Sequence, residues 1–155
     1  MLQRIISGGQ TGVDRAALDV AMRFNISHGG WCPQGRLAED GKIALKYHLN
    51  ETPAAEYDQR TEWNVRDADA VLILARGTLI GGTMLTKRIA VKLGRPYMIA
   101  NPSPSRSGEI EPVILWLTLE NISTLDIAGP RESQESGIYE DSFNFLTALF
   151  DKIFS

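Results

Sequence analysis

The sequence predicts a single α/β domain in which helices cover both faces of a parallel sheet of about five strands. Short runs of β-branched and aliphatic residues alternate with longer segments whose apolar residues recur every three or four positions. This alternation is typical of right-handed βαβ units. The 155 residues contain no internal repeat or domain boundary, so we expect one Rossmann-like domain spanning residues 1–155.

Each predicted element rests on a local pattern. The apolar runs predict strands at Gln3–Ser7, Ala70–Ala75, Tyr97–Ala100 and Ser123–Ala128, with a weaker strand near Ile26–Gly30. Helical spacing is clear in four segments, and Gly94 with Pro96 provides a stop for the second of them. The segments are Ala17–Phe24, Leu85–Leu93, Ile110–Leu117 and Phe145–Ile153, and a further helix is predicted at TEWNV.

The composition limits the partners and the compartment. The formal charge of −3 argues against non-specific nucleic-acid binding, so an anionic ligand has to be captured by local groups. No apolar run approaches the roughly 20 residues of a membrane-spanning helix, and no secretory signal is visible. Cys32 is the only cysteine, which excludes an internal disulfide and favours a reducing compartment. We therefore expect a cytoplasmic protein without membrane or nucleic-acid partners.

Three predicted strands run into glycine-containing turns that precede helices. The turns are SGGQTGVDR, RGTLIGGTMLTK and AGPRESQES. Ligands of open parallel sheets bind at the carboxyl ends of the strands, where free N–H groups at helix starts receive oxyanions. The three turns together predict a small anionic ligand of nucleotide size. Thr83 and Ser133 either cap helices or donate hydroxyl groups to a phosphate, and for Ser133 capping is the preferred interpretation.

The first turn matches neither of two common phosphate-binding patterns. A Walker A loop ends in Gly-Lys-Ser/Thr, but no lysine occurs between Met1 and Asp40. A dinucleotide fingerprint would need glycine where Ser7 stands, and an acidic residue about 20 residues later to hold the ribose. Both the nucleoside-triphosphatase and the NAD interpretations therefore fail.

Arg15 is the most informative residue beside the first turn. The helix dipole disfavours a cation in the first helical turn by roughly 0.3–1 kcal/mol. We predict that Arg15 contacts the anionic ligand, while a surface salt bridge to Asp14 or Asp19 is the alternative. Thr11 is predicted to cap the helix with Asp14 as the acid of a capping box, and a catalytic role for Asp14 stays open.

The stretch His28–Arg60 lacks periodicity and is rich in glycine, proline and charge. Loops this long are usually functional, so we expect this segment to cover the ligand and select it. Trp31, Cys32 and Arg36 are its best candidates, as a stacking face, a soft thiol for a metal and a guanidinium for an anion. A small buried apolar side chain is the alternative for Cys32. The two histidines and Cys32 lack the spacing of a zinc motif.

Motifs along nearly the whole chain resemble one family. They are GGQTGVDRAALDVA, HGGWCPQGRLAEDGKI and TPAAEYDQRTEWNVRDADAVLILARG, then GGT opening a helix, then AGPRES. In this order they resemble the molybdenum cofactor carrier-like proteins, the circularly permuted YpsA-type branch of the SLOG group of Rossmann-like proteins. The resemblance implies a Rossmann-like homo-oligomer that binds the molybdenum cofactor or a nucleotide-like phosphate, with molybdoenzymes as possible partners.

The same resemblance implies a set of binding residues in the glycine turns and the middle segment. They are Gly8, Gly9, Gln10, Thr11, Gly12 and Arg15, then Arg36, Arg60, Gly81, Gly82 and Thr83, with Gly129 and Arg131.

Two other functions stay open at this point. The wider SLOG group includes enzymes that release a base from a nucleoside phosphate, and these carry a catalytic glutamate in the helix after the glycines. The corresponding helix here begins MLTKRIA and has no acid, so a hydrolase would have to use Asp14, Glu39 or Asp40. The third function is a nucleotide-sensing module that acts through a protein partner. The carrier is the preferred interpretation, and it needs no catalytic residue.

Overall fold

A five-stranded parallel sheet lies at the centre of the structure, a computed structural model that describes residues 1–155. The strands are β1 (Arg4–Ile6), β2 (Ser27–Gly29), β3 (Trp31–Cys32), β4 (Leu37–Ala38), β5 (Gly41–Lys42), β6 (Asn50–Glu51), β7 (Ala70–Leu74), β8 (Tyr97–Ala100) and β9 (Thr124–Ala128). The α-helices are α1 (Val13–Arg23), α2 (Tyr57–Asp67), α3 (Gly81–Leu93), α4 (Ile110–Leu119) and α5 (Ile138–Phe154), and a 3₁₀ segment covers Pro104–Glu109.

The central sheet has the order β2-β1-β9-β7-β8, and all of its neighbouring strands are parallel. These are the five predicted strands, and each predicted range contains the observed one, so the predicted fold class is confirmed. The last strand, β9, lies between β1 and β7. Connections through α1 and α3 leave the centre of the sheet in opposite directions, which opens a crevice at the carboxyl ends of the central strands.

Both faces of the sheet are buried, as predicted. On β7, Leu72 and Leu74 point to a large core shared with α1, α4 and α5, while Val71 and Ile73 point to a second core shared with α2 and α3. Successive side chains of a strand alternate between faces, so a run of apolar residues fits a strand covered on both sides. Each fully buried side chain of this size contributes about 1.5–3 kcal/mol of transfer free energy.

The middle segment folds more than its irregular pattern predicts. Strands β3 and β6 form a parallel pair, and β4 and β5 form a short hairpin. The segment has an apolar cluster of its own against α1, formed by Leu18, Cys32, Ala38, Ile43, Tyr47 and Leu49. Arg36 organises the segment, because its guanidinium donates hydrogen bonds to four backbone carbonyl groups between Ile43 and Leu49. Short strands and carbonyl contacts leave no periodic signal in a sequence.

Glycines, rather than the predicted side chains, stand at two helix starts. Gly12 precedes α1 with a φ of 77°, and no side chain caps this helix, so the prediction of a Thr11 cap was wrong. The Thr11 hydroxyl instead contacts Glu39 and accepts the N–H of Glu132 at 3.1 Å. Gly137 likewise precedes α5, and the Glu132 carboxylate accepts the N–H groups of Gly137 and Tyr139 there, so the capping prediction for Ser133 was wrong too.

The predicted end of α3 is confirmed. Gly94 adopts the left-handed conformation with a φ of 68° and ends the helix as predicted. None of the five helices has the length and the apolar character to cross a membrane.

Candidate functional site

A polar cleft lies beyond the carboxyl ends of β1 and β9 and is walled by the first turns of α2 and α3. Its cavity volume is about 100 Å³, enough for a small anionic group, and the cleft opens to solvent. The residues that line it come from all three predicted glycine turns and from α2. They are Gly8, Gln10, Asp14, Tyr57, Asp58, Arg60, Thr61, Asn64, Gly82, Thr83, Leu85, Thr86, Asp126, Ala128, Gly129, Arg131 and Gln134.

The start of α3 presents unused hydrogen-bond donors to this cleft. The N–H groups of Gly81 and Gly82 form no hydrogen bond within the chain, and no side chain caps the helix. The Thr83 side chain is 5% exposed and lines the cleft, and its hydroxyl has no partner in the chain. Unpaired N–H groups at the positive end of a helix of 13 residues favour an oxyanion.

Arg60 is buried between α2 and the end of β1. Its Nη1 donates a hydrogen bond to the Gly8 carbonyl at 2.7 Å and lies 3.8 Å from Oδ2 of Asp14. A side chain on Gly8 would collide with this guanidinium, so glycine is needed for the close approach. Arg60 lines the cleft, its remaining N–H groups form no hydrogen bond within the chain, and its guanidinium lies 5.1 Å from the centre of the Tyr57 ring. Arg60 therefore brings a fixed positive charge to the floor of the cleft.

Two carboxyl groups lie at the floor beside Arg60. Burial raises the pKa of Asp14 to about 6, although Arg60, the Gln10 N–H and Arg15 oppose the shift. Burial and the neighbouring Asp14 charge raise the pKa of Asp126 well above its ordinary value, with Arg60 opposing. Asp126 is 3% exposed and lines the cleft, yet its side chain has no hydrogen-bond or ion-pair partner in the chain.

Sequence reasoning missed Asp126. Its position did carry a signal, because an acid interrupts the otherwise apolar core of strand β9, Thr-Leu-Asp-Ile-Ala. The flanking Leu125 and Ile127 fill the main core, so alternation sends Asp126 to the opposite face of the sheet. In the register of the sheet Asp126 lies between Ile6 and Val71. A charged residue at such a position is a candidate functional group.

Arg15 lies outside this cleft. Its guanidinium donates two hydrogen bonds to the Gly9 carbonyl, at 3.0 and 3.2 Å, and two to the Asp40 carboxylate, at the same distances. The salt bridge that offsets the unfavourable helix dipole is thus made to Asp40, a partner that sequence reasoning did not consider. Arg15 lines a second cavity together with Thr11, Gly12 and the Asp19 carboxylate.

Gly12 itself serves close packing between two loops. Its Cα lies against the turn after β9, and an added Cβ would fall on the carbonyl oxygen of Pro130. The Val13 N–H at the start of α1 is covered by the same Pro130 carbonyl, at 3.3 Å. The first glycine turn therefore contributes Gly8 and Gln10 to the cleft, while the turn before α3 provides the free helix start.

Glu39 and Asp40, two of the acids considered for hydrolysis, also lie away from the cleft. Glu39 binds the Ser133 hydroxyl at 2.5 Å and contacts Thr11, and these hydrogen bonds lower its pKa against the opposing effect of burial. The hydrogen bond from Arg15 lowers the pKa of Asp40. Both carboxylates connect loops, and of the three proposed acids only Asp14 faces the cleft.

The middle segment contributes to the cleft only near its end, through Tyr57, Asp58 and Arg60. Cys32 is fully buried in the apolar cluster of this segment, and burial raises the pKa of its thiol. Trp31 packs edge-on against Trp63 and donates its indole N–H to Asp67 at 2.7 Å. With the Arg36 guanidinium held by carbonyl groups, the three residues expected to select the ligand all occupy structural positions.

We expect Asp14 to make stability depend on pH. Its pKa is raised to about 6, so the folded state holds a proton that the unfolded state releases near pH 4, and stability falls as the pH rises through this window. Asp14→Asn removes this dependence. The free energy of unfolding of the variant relative to wild type should therefore increase by about 2 kcal/mol between pH 4.5 and 7.

Denaturant titrations at several pH values measure this difference. Asp40→Asn is the control, because a carboxyl group with a lowered pKa is ionised in both states across that range and leaves the difference flat. A flat difference for Asp14→Asn would show that the Asp14 carboxyl is not buried as described.

Comparisons with known proteins agree with this architecture. A search of curated proteins gave no match. A crystal structure of the "Putative molybdenum carrier protein" from Syntrophus aciditrophicus SB superimposes with a TM-score of 0.92 at 40% sequence identity, covering 96% of this chain and 94% of that one. The model of the circularly permutated YpsA SLOG family matches residues 5–150. The chain therefore belongs to the circularly permutated YpsA SLOG family.

Proposed function

We propose that this protein is a cytoplasmic carrier that binds a phosphorylated pterin, the molybdenum cofactor, or a related nucleotide-like ligand in the polar cleft. The observation that supports this most is the convergence of unused donors on one space. Gly82 with its free N–H group, Thr83 with its unpaired hydroxyl, Arg60 and Arg131 all line it, and the free N–H of Gly81 directly precedes Gly82 in the chain. A phosphate group offers the several acceptor oxygens that such a donor set requires.

The donor set fits the phosphate and the ring system of such a ligand better than its metal. No histidine or cysteine lines the cleft, and Cys32 is buried elsewhere. The Tyr57 ring, with Arg60 behind it, offers a flat apolar surface at the rim for a heterocycle. The molybdenum part of the proposal is supported by the name of the similar crystal structure and by the sequence resemblance.

A carrier of this kind holds its ligand without transforming it. Arg60 and the helix start would fix the phosphate, and the walls formed by α2 and α3 would exclude part of the solvent. Delivery to molybdoenzymes and assembly into a homo-oligomer are further parts of the proposal, and they rest on the resemblance. Native mass spectrometry of the protein purified from its own host tests the ligand and the oligomeric state together.

Hydrolysis of a nucleoside phosphate is the second candidate function. One observation favours it, namely that Asp14 and Asp126 both face the cleft beside the phosphate donors. Enzymes that cleave a glycosidic linkage usually carry two carboxyl groups that flank the bond to be broken. Incubation with nucleoside monophosphates tests it. A carrier releases no free base above background. Release of free base by wild type that is lost in Asp126→Asn would show that the protein is a hydrolase and not a carrier.

We expect Arg131→Ala to weaken phosphate binding and Arg15→Ala to leave it unchanged. Arg131 lines the cleft, whereas Arg15 pairs with Asp40 outside it. Loss of a charge-assisted hydrogen bond costs about 1.5–3 kcal/mol, so the affinity for adenosine 5′-monophosphate should fall by roughly 10- to 150-fold in the first variant.

Calorimetric titration of both variants and wild type measures the effect. The two arginines form a matched pair, because each is partly exposed and pairs with one acid, Glu39 or Asp40. Weaker binding in Arg15→Ala with wild-type affinity in Arg131→Ala would move the site to the first glycine turn.

A further inference from the structure

Asp126 is the buried charged group for which the fold provides no partner. It is 97% buried, lies in the middle of the sheet and faces the cleft, and no donor of the chain reaches its oxygens. An isolated buried carboxylate costs several kcal/mol unless a proton or a cation compensates it. Strand β9 would be more stable with an apolar residue here. The carboxyl group is therefore best explained by something that enters the cleft.

The balance of charge in the cleft points to a cation. Asp14 and Asp126 lie at the floor, and the nearest positive group, Arg60, already gives one N–H to the Gly8 carbonyl. Arg131 lies at the wall, with its Nε 3.5 Å from Glu39. A phosphate would bring further negative charge into the same space, where the low dielectric strengthens repulsion between anions. Two arginines do not balance a phosphate together with Asp14 and Asp126 when both carboxyl groups are ionised.

We propose that Asp14 and Asp126 bind a divalent cation of the Mg²⁺ class, which bridges them to the phosphate of the ligand. This inference rests on the proposed function, because it takes the phosphate site at the start of α3 as its third partner. Mg²⁺ is commonly held by one or two carboxylates together with phosphate oxygens and water molecules. The absence of histidine and cysteine from the cleft disfavours Zn²⁺ and other softer metals.

Both carboxyl groups line the cleft with oxygens that no group of the chain binds. Oδ2 of Asp14 accepts the Gln10 N–H at 3.3 Å, which leaves its other oxygen free, and both oxygens of Asp126 are free. No group of three acids or histidines in the chain forms a complete metal site. The site is thus complete only when a phosphate supplies oxygen ligands. We infer that cation and phosphate bind cooperatively and that neither binds tightly alone.

Titration with Mn²⁺ as a paramagnetic probe tests this directly, with inorganic phosphate as the second ligand. Water-proton relaxation should report one bound Mn²⁺ per chain. Phosphate should tighten Mn²⁺ binding by a factor within the 5- to 150-fold range of typical coupling. Asp126→Asn should weaken it by more than the roughly tenfold that loss of an outer-shell partner costs. Asp40→Asn, outside the cleft, is the matched control and should bind Mn²⁺ like wild type.

The outcomes separate this inference from the proposed function. Wild type that binds no Mn²⁺ with or without phosphate overturns the cation site, as does equal Mn²⁺ binding by wild type and Asp126→Asn. Adenosine 5′-monophosphate binding that is unchanged by EDTA overturns the cation site and keeps the carrier. Mn²⁺ binding without any binding of phosphate or adenosine 5′-monophosphate keeps the two carboxylates as ligands but overturns the bridge and the carrier. Asp14→Asn serves as the second variant if Asp126→Asn fails to fold.

Discussion

The buried guanidinium of Arg60 is the interaction on which the cleft depends. It comes from α2, donates to the Gly8 carbonyl at the end of β1 and lies 3.8 Å from the Asp14 carboxylate at the start of α1. One side chain therefore joins three elements at the carboxyl edge of the sheet. Burying a charged guanidinium is costly unless it is paired, and here the Gly8 carbonyl and the Asp14 carboxylate provide that pairing. Its fixed position requires glycine at position 8, where any side chain would displace the guanidinium.

The remaining architecture provides the walls around this charge. The order of the sheet puts β9 between β1 and β7, so Asp126 faces the same space as Arg60 and Asp14. The glycine turn before α3 leaves the helix start open, whereas Pro130 covers the start of α1. The glycine turn before α3 thus supplies free N–H donors. The other two turns supply close packing, and the turn after β9 also supplies the flanking Arg131. In this cleft, the binding of an anion and the compensation of the buried carboxylates therefore involve the same residues.

The sequence predicted the fold far better than the site. Apolar runs such as Ala70–Leu74 and the stop at Gly94 depend on local patterns, and their strands and helix end were found within one or two residues. The location of the site at the carboxyl edge also followed from general rules for parallel sheets. Of the binding residues expected in the glycine turns, six line one cleft, namely Gly8, Gln10, Gly82, Thr83, Gly129 and Arg131. The other five do not line it, namely Gly9, Thr11, Gly12, Arg15 and Gly81.

Individual side chains were harder to predict, because their roles depend on partners distant in the chain. Arg15 pairs with Asp40, 25 residues away in the chain. This ion pair offsets the unfavourable position of a cation in the first turn of a helix. Cys32 is buried by a cluster that forms only when the middle segment folds onto α1. The surroundings of Asp126 are formed by β1 and α2, which end 120 and 59 residues before it in the chain. The periodicity and spacing of a sequence do not reveal contacts between residues this far apart in the chain.

The central claim is that the ligand phosphate binds at the start of α3. Amide chemical-shift mapping by ¹⁵N–¹H NMR during titration with adenosine 5′-monophosphate tests it most directly, because the donors in question are backbone N–H groups. We predict that the largest shifts occur at Gly81 and Gly82, whose N–H groups are unpaired, with smaller shifts at Thr83 and near Gly8 and Arg131. Shifts confined to Gly12 and the first turn of α1 would contradict the account.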